Sequence, residues 1–401
     1  MNTLPSRFLR ITAPRNQLLR RLERLRTSKD LRQEEGHVVV QGIKTLQELA
    51  SKGHRLRTIG ITFDEHNLPI CAPALDIIAS VQREDASAST VRERMARDQG
   101  RSDHQRIGRQ PERPRYIAEQ YVAVSRSITT KILGTDSPTS EHEVFAEVAI
   151  PDFSHLFSHN PTSTTSTTTS SSSGSQISSN PSEIKRLLVL DKISDPGNMG
   201  LIIRSAKALF WDAAWHTPGT VDPYNNKVVR ASRALCLDWP VETGGWKNLE
   251  RFLKNRGFTL VVADMMPPWI QDHATKTTAS SAEGGYSRHN LVWWNWPSSL
   301  PRSEVPERIA LVMSSEHHGV AARSVAAGEG VHHEQELEAK ARERLLSQAI
   351  RVSIPMNPAV ESMNVAAAAT AMMWELNRVM DKGGLESMAE RKLQIFDAVE
   401  K

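Results

Sequence analysis

Short apolar runs separated by amphipathic stretches fill the second half of the chain. A run of four to six apolar residues bounded by turn residues is typical of a buried strand, and apolar residues spaced by three or four positions are typical of a helix. Alternation of the two predicts an α/β domain with a mostly parallel sheet and helices on both faces. The predicted strands are Leu187–Leu190, Ala213–His216, Thr259–Ala263, Ile309–Met313 and Val352–Ile354.

The first half of the chain has a smaller set of the same elements. Val38–Val40 predicts a strand, Gly42 a turn and Ile43–Ala50 a helix with apolar Leu46 and Leu49 on one face. Later valine-rich runs at Val122–Val124 and Val144–Val148 supply further strands. We therefore expect a small N-terminal α/β domain over residues 1–150.

Composition changes mark the domain boundaries. Residues 151–183 are dominated by Ser, Thr, Asn and Pro and cannot bury enough apolar surface to fold, which predicts a linker. The α/β domain then spans 184–385, and a C-terminal tail covers 386–401. The stretches 269–302 and 322–345 exceed what a compact connection needs and are predicted to be inserts.

Positive charge is concentrated although the net charge of the 401 residues is only +4. The first thirty residues contain eight Arg and Lys but only Glu23 and Asp30, and a basic insert covers residues 83–115. Such segments attract RNA phosphates. An Arg-rich, acid-poor N-terminus is also typical of a mitochondrial presequence, and both interpretations stay open.

Several classes of protein are disfavoured. No run of eighteen apolar residues is present, so no transmembrane helix is predicted. Cys71 and Cys236 are too few and too far apart for a disulfide framework or a Cys-rich zinc site. His317-His318 and His332-His333 lack the spacing of metal ligands, and we expect no metal. No strand is followed by the Gly-rich turn of a dinucleotide site.

Three polar segments follow predicted strands in the second half of the chain. The first is the turn DPGNMG, which leads into a helix carrying Arg204. The second is SSEHHG, directly after the strand Ile309–Met313. The third is SIPMNPAVESMNV, which precedes an Ala-rich helix. The residues that define these motifs are Asn198, Gly200, Arg204, Glu316, Gly319, Ile354, Pro355, Met356, Ser362, Asn364 and Val365.

In this order the three segments resemble the motifs of the SpoU (TrmH-type) RNA ribose methyltransferases of the SPOUT superfamily. Two positions depart from the family pattern, Ser314 in place of the first Gly of the second motif and Met363 in place of Leu. The resemblance implies a SPOUT-type parallel sheet with a C-terminal trefoil knot, a homodimer and S-adenosyl-L-methionine as cofactor. It also implies that the N-terminal α/β domain binds the substrate.

The resemblance assigns roles to individual residues. The implied catalytic residues are Asn198, Arg204, Glu316, Ser362 and Asn364, and the implied cofactor-binding residues are Ser314, Gly319, Ile354, Met356 and Met363. The family account often makes the arginine the base, but a guanidinium is a poor base, and we favour orientation of hydroxyl and phosphate for Arg204. Asn198, Ser362 and Asn364 could also serve as helix caps.

The implied activity is 2′-O-methylation of a ribose in structured RNA, most plausibly rRNA. A 2′-hydroxyl target excludes DNA. Two alternatives stay open, a tRNA ribose methyltransferase and a catalytically inactive RNA-binding ribosome-assembly factor that retains the fold. We favour a mitochondrial location, with cytoplasm or nucleus as alternatives, and expect no membrane association.

Overall fold

A computed structural model describes ten stretches of the chain, which form two compact units. Met1–Pro151 with Tyr224–Ala234 make up the first unit, and Asp152–Pro223 with Leu235–Lys401 make up the second. The described residues are 4–63, 74–83, 116–134, 144–158, 183–264, 291–292, 306–314, 333–354, 356–357 and 359–380. Residues 84–115 of the basic insert and the His pair at 317–318 lie outside the described residues.

The first unit contains a five-stranded mixed sheet in the order β1-β4-β3-β5-β2. β4 pairs in parallel with β1 and β3, whereas β5 is antiparallel to β3 and β2. The strands predicted from valine-rich runs are all present. The bounds are β1 Phe8–Ile11, β2 His37–Gln41, β3 Leu56–Phe63, β4 Ala118–Ser125 and β5 Val144–Ala149.

Five helices connect these strands, and their apolar faces build the core of the unit. Leu19, Leu22 and Leu25 are buried on the first of them, beside Ile128 and Ile132 of the last. The helices are α1 Gln17–Thr27, α2 Lys29–Glu35, α3 Ile43–Ser51, α4 at 74–83 and α5 Arg126–Leu133.

The basic N-terminal segment is part of this folded unit. Arg21 on α1 forms ion pairs with Glu35 and with Glu147, whose side chain is fully buried on β5. Thr58 donates a further hydrogen bond of 2.9 Å to Glu147. Arg21 is therefore engaged by carboxylates of the fold. Arg20 and Arg24 on the same helix are exposed.

The second unit contains a seven-stranded sheet in which all pairs are parallel, in the order β10-β12-β9-β11-β6-β7-β8. β6 lies between β11 and β7 and is buried along its whole length, as its unbroken apolar run predicts. The bounds are β6 Arg186–Asp191, β7 Ala213–His216, β8 Val241–Thr243, β9 Thr259–Ala263, β10 Leu291–Val292, β11 Ile309–Ser314 and β12 Ile350–Val352.

Helices again connect the strands. No described helix is long and apolar enough to cross a membrane. The helices are α6 Ser154–Phe157, α7 Pro196–Ala208, α9 Trp246–Arg256, α10 His333–Ser347 and α11 Val365–Met380, with a 3-10 turn at Leu235–Leu237; α8 Asn226–Ala231 belongs to the first unit.

Besides β1 and β10, for which no strand was predicted, the observed elements differ from the predicted ones in three places. The last central strand ends at Val352, so Ile354 lies in the following loop. β8 was not predicted, because three partly exposed residues carry little apolar signal. Phe157 of α6 is buried against Trp215 and Phe252, so this residue packs in the core of the second unit although it lies within the predicted linker 151–183.

Candidate active site

The first and third motifs are joined by a direct hydrogen bond. Asn364 Nδ2 donates to Asn198 Oδ1 at 2.9 Å, although the two residues are 166 positions apart in sequence. Asn198 is on the first turn of α7, and Asn364 immediately precedes α11. The fold thus brings one residue of the first motif and one residue of the third motif together, next to the carboxyl end of the parallel sheet.

Asn364 is also the N-cap of α11. Its Oδ1 accepts hydrogen bonds from the backbone N–H groups of Ala366 and Ala367, at 2.9 and 3.4 Å. The side chain therefore uses its oxygen as a helix cap and its nitrogen to hold Asn198. The capping and functional interpretations hold together for this residue.

Asn198 is not a cap. Asp195 occupies the N-cap of α7, and its Oδ1 accepts a hydrogen bond of 2.7 Å from the backbone N–H of Asn198. The amide side chain of Asn198 is consequently available for Asn364. Pro196 at the first helical position suits this start because its missing N–H needs no acceptor there.

Arg204 is on the third turn of α7, because the helix already begins at Pro196, inside the segment predicted to be a turn. Its side chain is exposed, whereas the neighbouring Ile202, Ile203 and Ala206 are buried in the core. An exposed guanidinium on the same helix as Asn198 can reach a ligand, since it is not engaged by the core. Glu316 and Gly319 lie outside the described residues.

Packing between α7 and α11 fixes the geometry of this site. Thr370 Oγ1 lies 2.7 Å from Ser205 Oγ, about two turns along each helix from the asparagine pair. Further along, the buried Asn377 donates a hydrogen bond of 2.6 Å to the carbonyl oxygen of Leu209. Three polar contacts thus set the register of the two helices. The sequence motifs include only the first of them.

Asp191 is a buried carboxylate at the carboxyl end of β6 that the sequence motifs did not identify. It ends β6 beside Ser314, its register partner at the end of β11. Thr217 donates a hydrogen bond of 2.7 Å to Asp191 Oδ1, and Arg342 of α10 forms an ion pair with Oδ2 at 3.4 Å. The sequence signal that could have identified Asp191 is a carboxylate placed directly after four apolar strand residues.

The cofactor-binding residues implied by the resemblance lie at the carboxyl ends of β11 and β12. Ser314 is the last residue of β11, and the loop after β12 carries Ile354, Met356 and Met363. Each of these four side chains is half-buried, so the loop presents apolar surface that the protein core does not use. Ser362 of the same loop is exposed.

Part of the second half of the chain matches a known protein family. Residues 185–330 match the SpoU rRNA Methylase family. The chain contains a SpoU methylase domain. This domain includes the first two motifs of the candidate site, and the third follows it in sequence. The sequence expectation of a SpoU-type protein is confirmed.

Curated relatives of the SpoU domain are distant in sequence. The mitochondrial rRNA methyltransferase 3 of Xenopus laevis is 23% identical over 219 residues, which are 48% of this chain and 48% of that protein. The 23S rRNA guanosine-2′-O-methyltransferase RlmP of Bacillus subtilis is 23% identical over 194 residues, which are 48% of this chain and 58% of that protein. The chain spans about half the length of the curated relatives it matches.

A solved structure shares the α/β fold. An AdoMet-bound rRNA methyltransferase from Sinorhizobium meliloti matches with a TM-score of 0.54 and 17% identity, covering 93% of this chain and 98% of that one. At this identity the likeness shows the fold alone. The expected α/β fold with a parallel sheet is confirmed.

Proposed function

We propose that this protein transfers a methyl group from S-adenosyl-L-methionine to the 2′-hydroxyl of a ribose in structured RNA, with rRNA as the favoured target. The hydrogen bond between Asn364 and Asn198 carries this proposal, because it joins the first motif, inside the SpoU match, to the third motif, which follows that match in sequence. The activities for which the Xenopus and Bacillus relatives are named, rRNA methylation and 2′-O-methylation, support the same reaction.

The loop after β12 fits the cofactor. Ile354, Met356 and Met363 offer half-exposed apolar surface for an adenosine. Ser314 is the last residue of β11, and only β9 lies between β11 and β12 in the sheet. The bound cofactor would supply an electrophilic methyl group on a sulfonium. The N-cap and bridging bonds of Asn364 hold this loop at the start of α11, so that the loop keeps one conformation.

Arg204 is proposed to position the substrate. A guanidinium has a pKa above about 12 and is a poor proton acceptor, but its fork of N–H donors suits a phosphate and a neighbouring hydroxyl. Such contacts orient the ribose 2′-oxygen toward the methyl group and polarise its O–H bond. Glu316 and Ser362 are proposed as further orienting groups, and Gly319 as part of the cofactor site.

The assembled protein is proposed to be a homodimer with a C-terminal trefoil knot. Leu201 on α7 and Trp374 on α11 are 48% and 45% exposed, which leaves apolar surface on the two helices that carry the asparagine pair. Burial of these side chains against a second copy would remove that surface from water. The first unit is proposed to bind the RNA substrate.

A mitochondrial location is proposed from the Xenopus relative and the basic N-terminus. β1 and α1 occupy Phe8–Ile11 and Gln17–Thr27 and are part of the first unit. A processing site after Arg26 would remove one strand and nearly all of α1. We therefore expect the mature protein to retain both elements.

Two measurements on the full chain test the proposal. Titration calorimetry should give saturable S-adenosyl-L-methionine binding, and methyl transfer to rRNA should yield 2′-O-methylribose. Arg204→Ala should abolish transfer while cofactor affinity stays within about threefold. Arg251→Ala, an exposed arginine on α9, is the charge-matched control and should retain both properties.

Three outcomes would reject parts of this proposal. Absence of cofactor heat would favour the inactive assembly factor. Methylation confined to tRNA would select the tRNA alternative. Full turnover by Arg204→Ala would remove the assigned role of this arginine.

A further inference from the structure

The first unit contains a cavity of about 490 Å³ that none of the SpoU motifs includes. It is lined by the end of β2, the first turn of α3 and one side of α8. Val39 and Val229 supply apolar surface to it, and both are buried. A cavity of this size can accommodate a nucleotide-sized ligand.

Positive charge dominates the lining. Lys44, Lys227, Arg230 and Arg233 are exposed side chains that line the cavity, and Glu48 is the one acidic residue among the lining residues. Four positive charges and one negative charge give a formal charge of +3. Within the part of the chain that the structure describes, none of these four cations has a salt-bridge partner. The lining therefore favours an anion.

The N-terminus of α3 opens into the same cavity. Gly42 is its N-cap with φ of 91°, a conformation that suits glycine, and no side chain caps the helix. The first backbone N–H groups of a helix have no intrahelical acceptors and attract anions, phosphates in particular. Gly42, Lys44 and Thr45 of this turn line the cavity.

Gln41 provides an independent indication of a ligand. Its side chain lines the cavity and is only 8% exposed. Neither its amide oxygen nor its amide nitrogen has a hydrogen-bond partner among the described residues. A buried amide left without partners is costly, and such a group is usually satisfied by a ligand or an ordered water. The amide could accept from a hydroxyl and donate to an oxygen of one ligand.

We propose that this cavity of the first unit binds one phosphate–ribose unit of an RNA strand. The phosphate would lie at the N-terminus of α3 among Lys44, Lys227, Arg230 and Arg233. The ribose would contact Val39 and Val229, with its hydroxyl on the amide of Gln41. The choice of RNA over a free nucleotide rests on the proposed function, whereas the anion site itself rests on the cavity alone.

Binding of a fluorescent single-stranded RNA oligonucleotide to the full chain, measured by anisotropy over a series of salt concentrations, tests this site. Arg230→Gln should weaken binding several-fold and lower the slope of log affinity against log salt by roughly 0.7, the value for one phosphate contact on a single strand. Gln41→Leu should weaken binding without changing the slope, because it removes no charge. Arg55→Gln, an exposed arginine of the same unit that does not line the cavity, should change neither.

Each result supports or overturns the site. Equal behaviour of Arg230→Gln and Arg55→Gln would overturn it, and because Arg230 is exposed this test does not depend on Gln41→Leu folding. RNA would be rejected as the ligand if the wild type binds adenosine monophosphate saturably and Arg230→Gln abolishes that binding but leaves RNA binding unchanged. Calorimetry with S-adenosyl-L-methionine on the same variants should be unaffected, so a failure of the methyltransferase proposal is distinguishable.

Discussion

The two roles of Asn364 can be separated by substitution. Asn364→Ala removes the cap of α11 and the bond to Asn198 together, whereas Asn364→Ser keeps a capping hydroxyl that is too short to reach Asn198. Asn198→Ala removes the bridging bond and leaves the cap intact. The three variants therefore distinguish helix capping from support of the site.

The expected energies follow from the contacts. Loss of an N-cap costs about 1 kcal/mol, and loss of the partly exposed bridging bond costs about 0.5 kcal/mol. Asn364→Ala should therefore lose about 1.5 kcal/mol, or roughly 3–6 °C in Tm for a domain of this size. Asn364→Ser and Asn198→Ala should each lose only about 0.5 kcal/mol, because only the bridging bond is lost.

The affinity for S-adenosyl-L-methionine should follow a different order. All three variants should weaken cofactor binding about twofold, the factor equivalent to the roughly 0.5 kcal/mol of the bridging bond, because each releases the loop after β12 from α7. The double variant Asn198→Ala with Asn364→Ser should be no weaker than either single one, since both act through one bond. Calorimetry gives the affinities and a thermal melt gives Tm.

Wild-type cofactor affinity in Asn364→Ser would refute this reasoning and leave Asn364 as a helix cap. Additive losses in the double variant would show that the two side chains act separately. Asn248→Ala, an exposed asparagine on α9, controls for loss of an amide and should behave as wild type.

Two further predictions concern charged residues away from the site. Arg21→Gln should lower the free energy of unfolding by about 3 kcal/mol, because it leaves the buried carboxylate of Glu147 without its main partner. Arg20→Gln, on the exposed side of α1, should change the free energy of unfolding little. Equal urea midpoints for the two variants would contradict the ion-pair network around Glu147. The pKa of Glu250 is lowered to about 2 by its hydrogen bond from Arg344 and by Lys254. The charged carboxylate therefore stabilises the fold at pH values above the unfolded-state pKa near 4.5. This stabilisation is lost as the pH falls from 4.5 toward 2. The difference in urea midpoint between wild type and Glu250→Gln should therefore be largest at pH 7 and shrink below pH 4.5, and a difference independent of pH would refute the assignment.

The period of the apolar residues was enough to predict most strands of both sheets. β6, β9 and β11 are buried on both faces, so each is an unbroken apolar run bounded by polar residues, which a linear pattern displays directly. The resemblance of the motifs likewise implied that Asn198 and Asn364 belong together, and these two residues are hydrogen-bonded. Local sequence contains this information because strand burial and helix capping depend on neighbouring residues.

Only the tertiary structure decided which side chain does what. Asp195, not Asn198, caps α7, and Arg21 belongs to the core network while Arg20 is exposed, although both arginines stand in the same basic run. These differences depend on partners such as Glu147 that lie more than a hundred residues away. The unpartnered amide of Gln41 is equally invisible in the sequence, because whether a polar group is satisfied is settled by what the folded chain places around it.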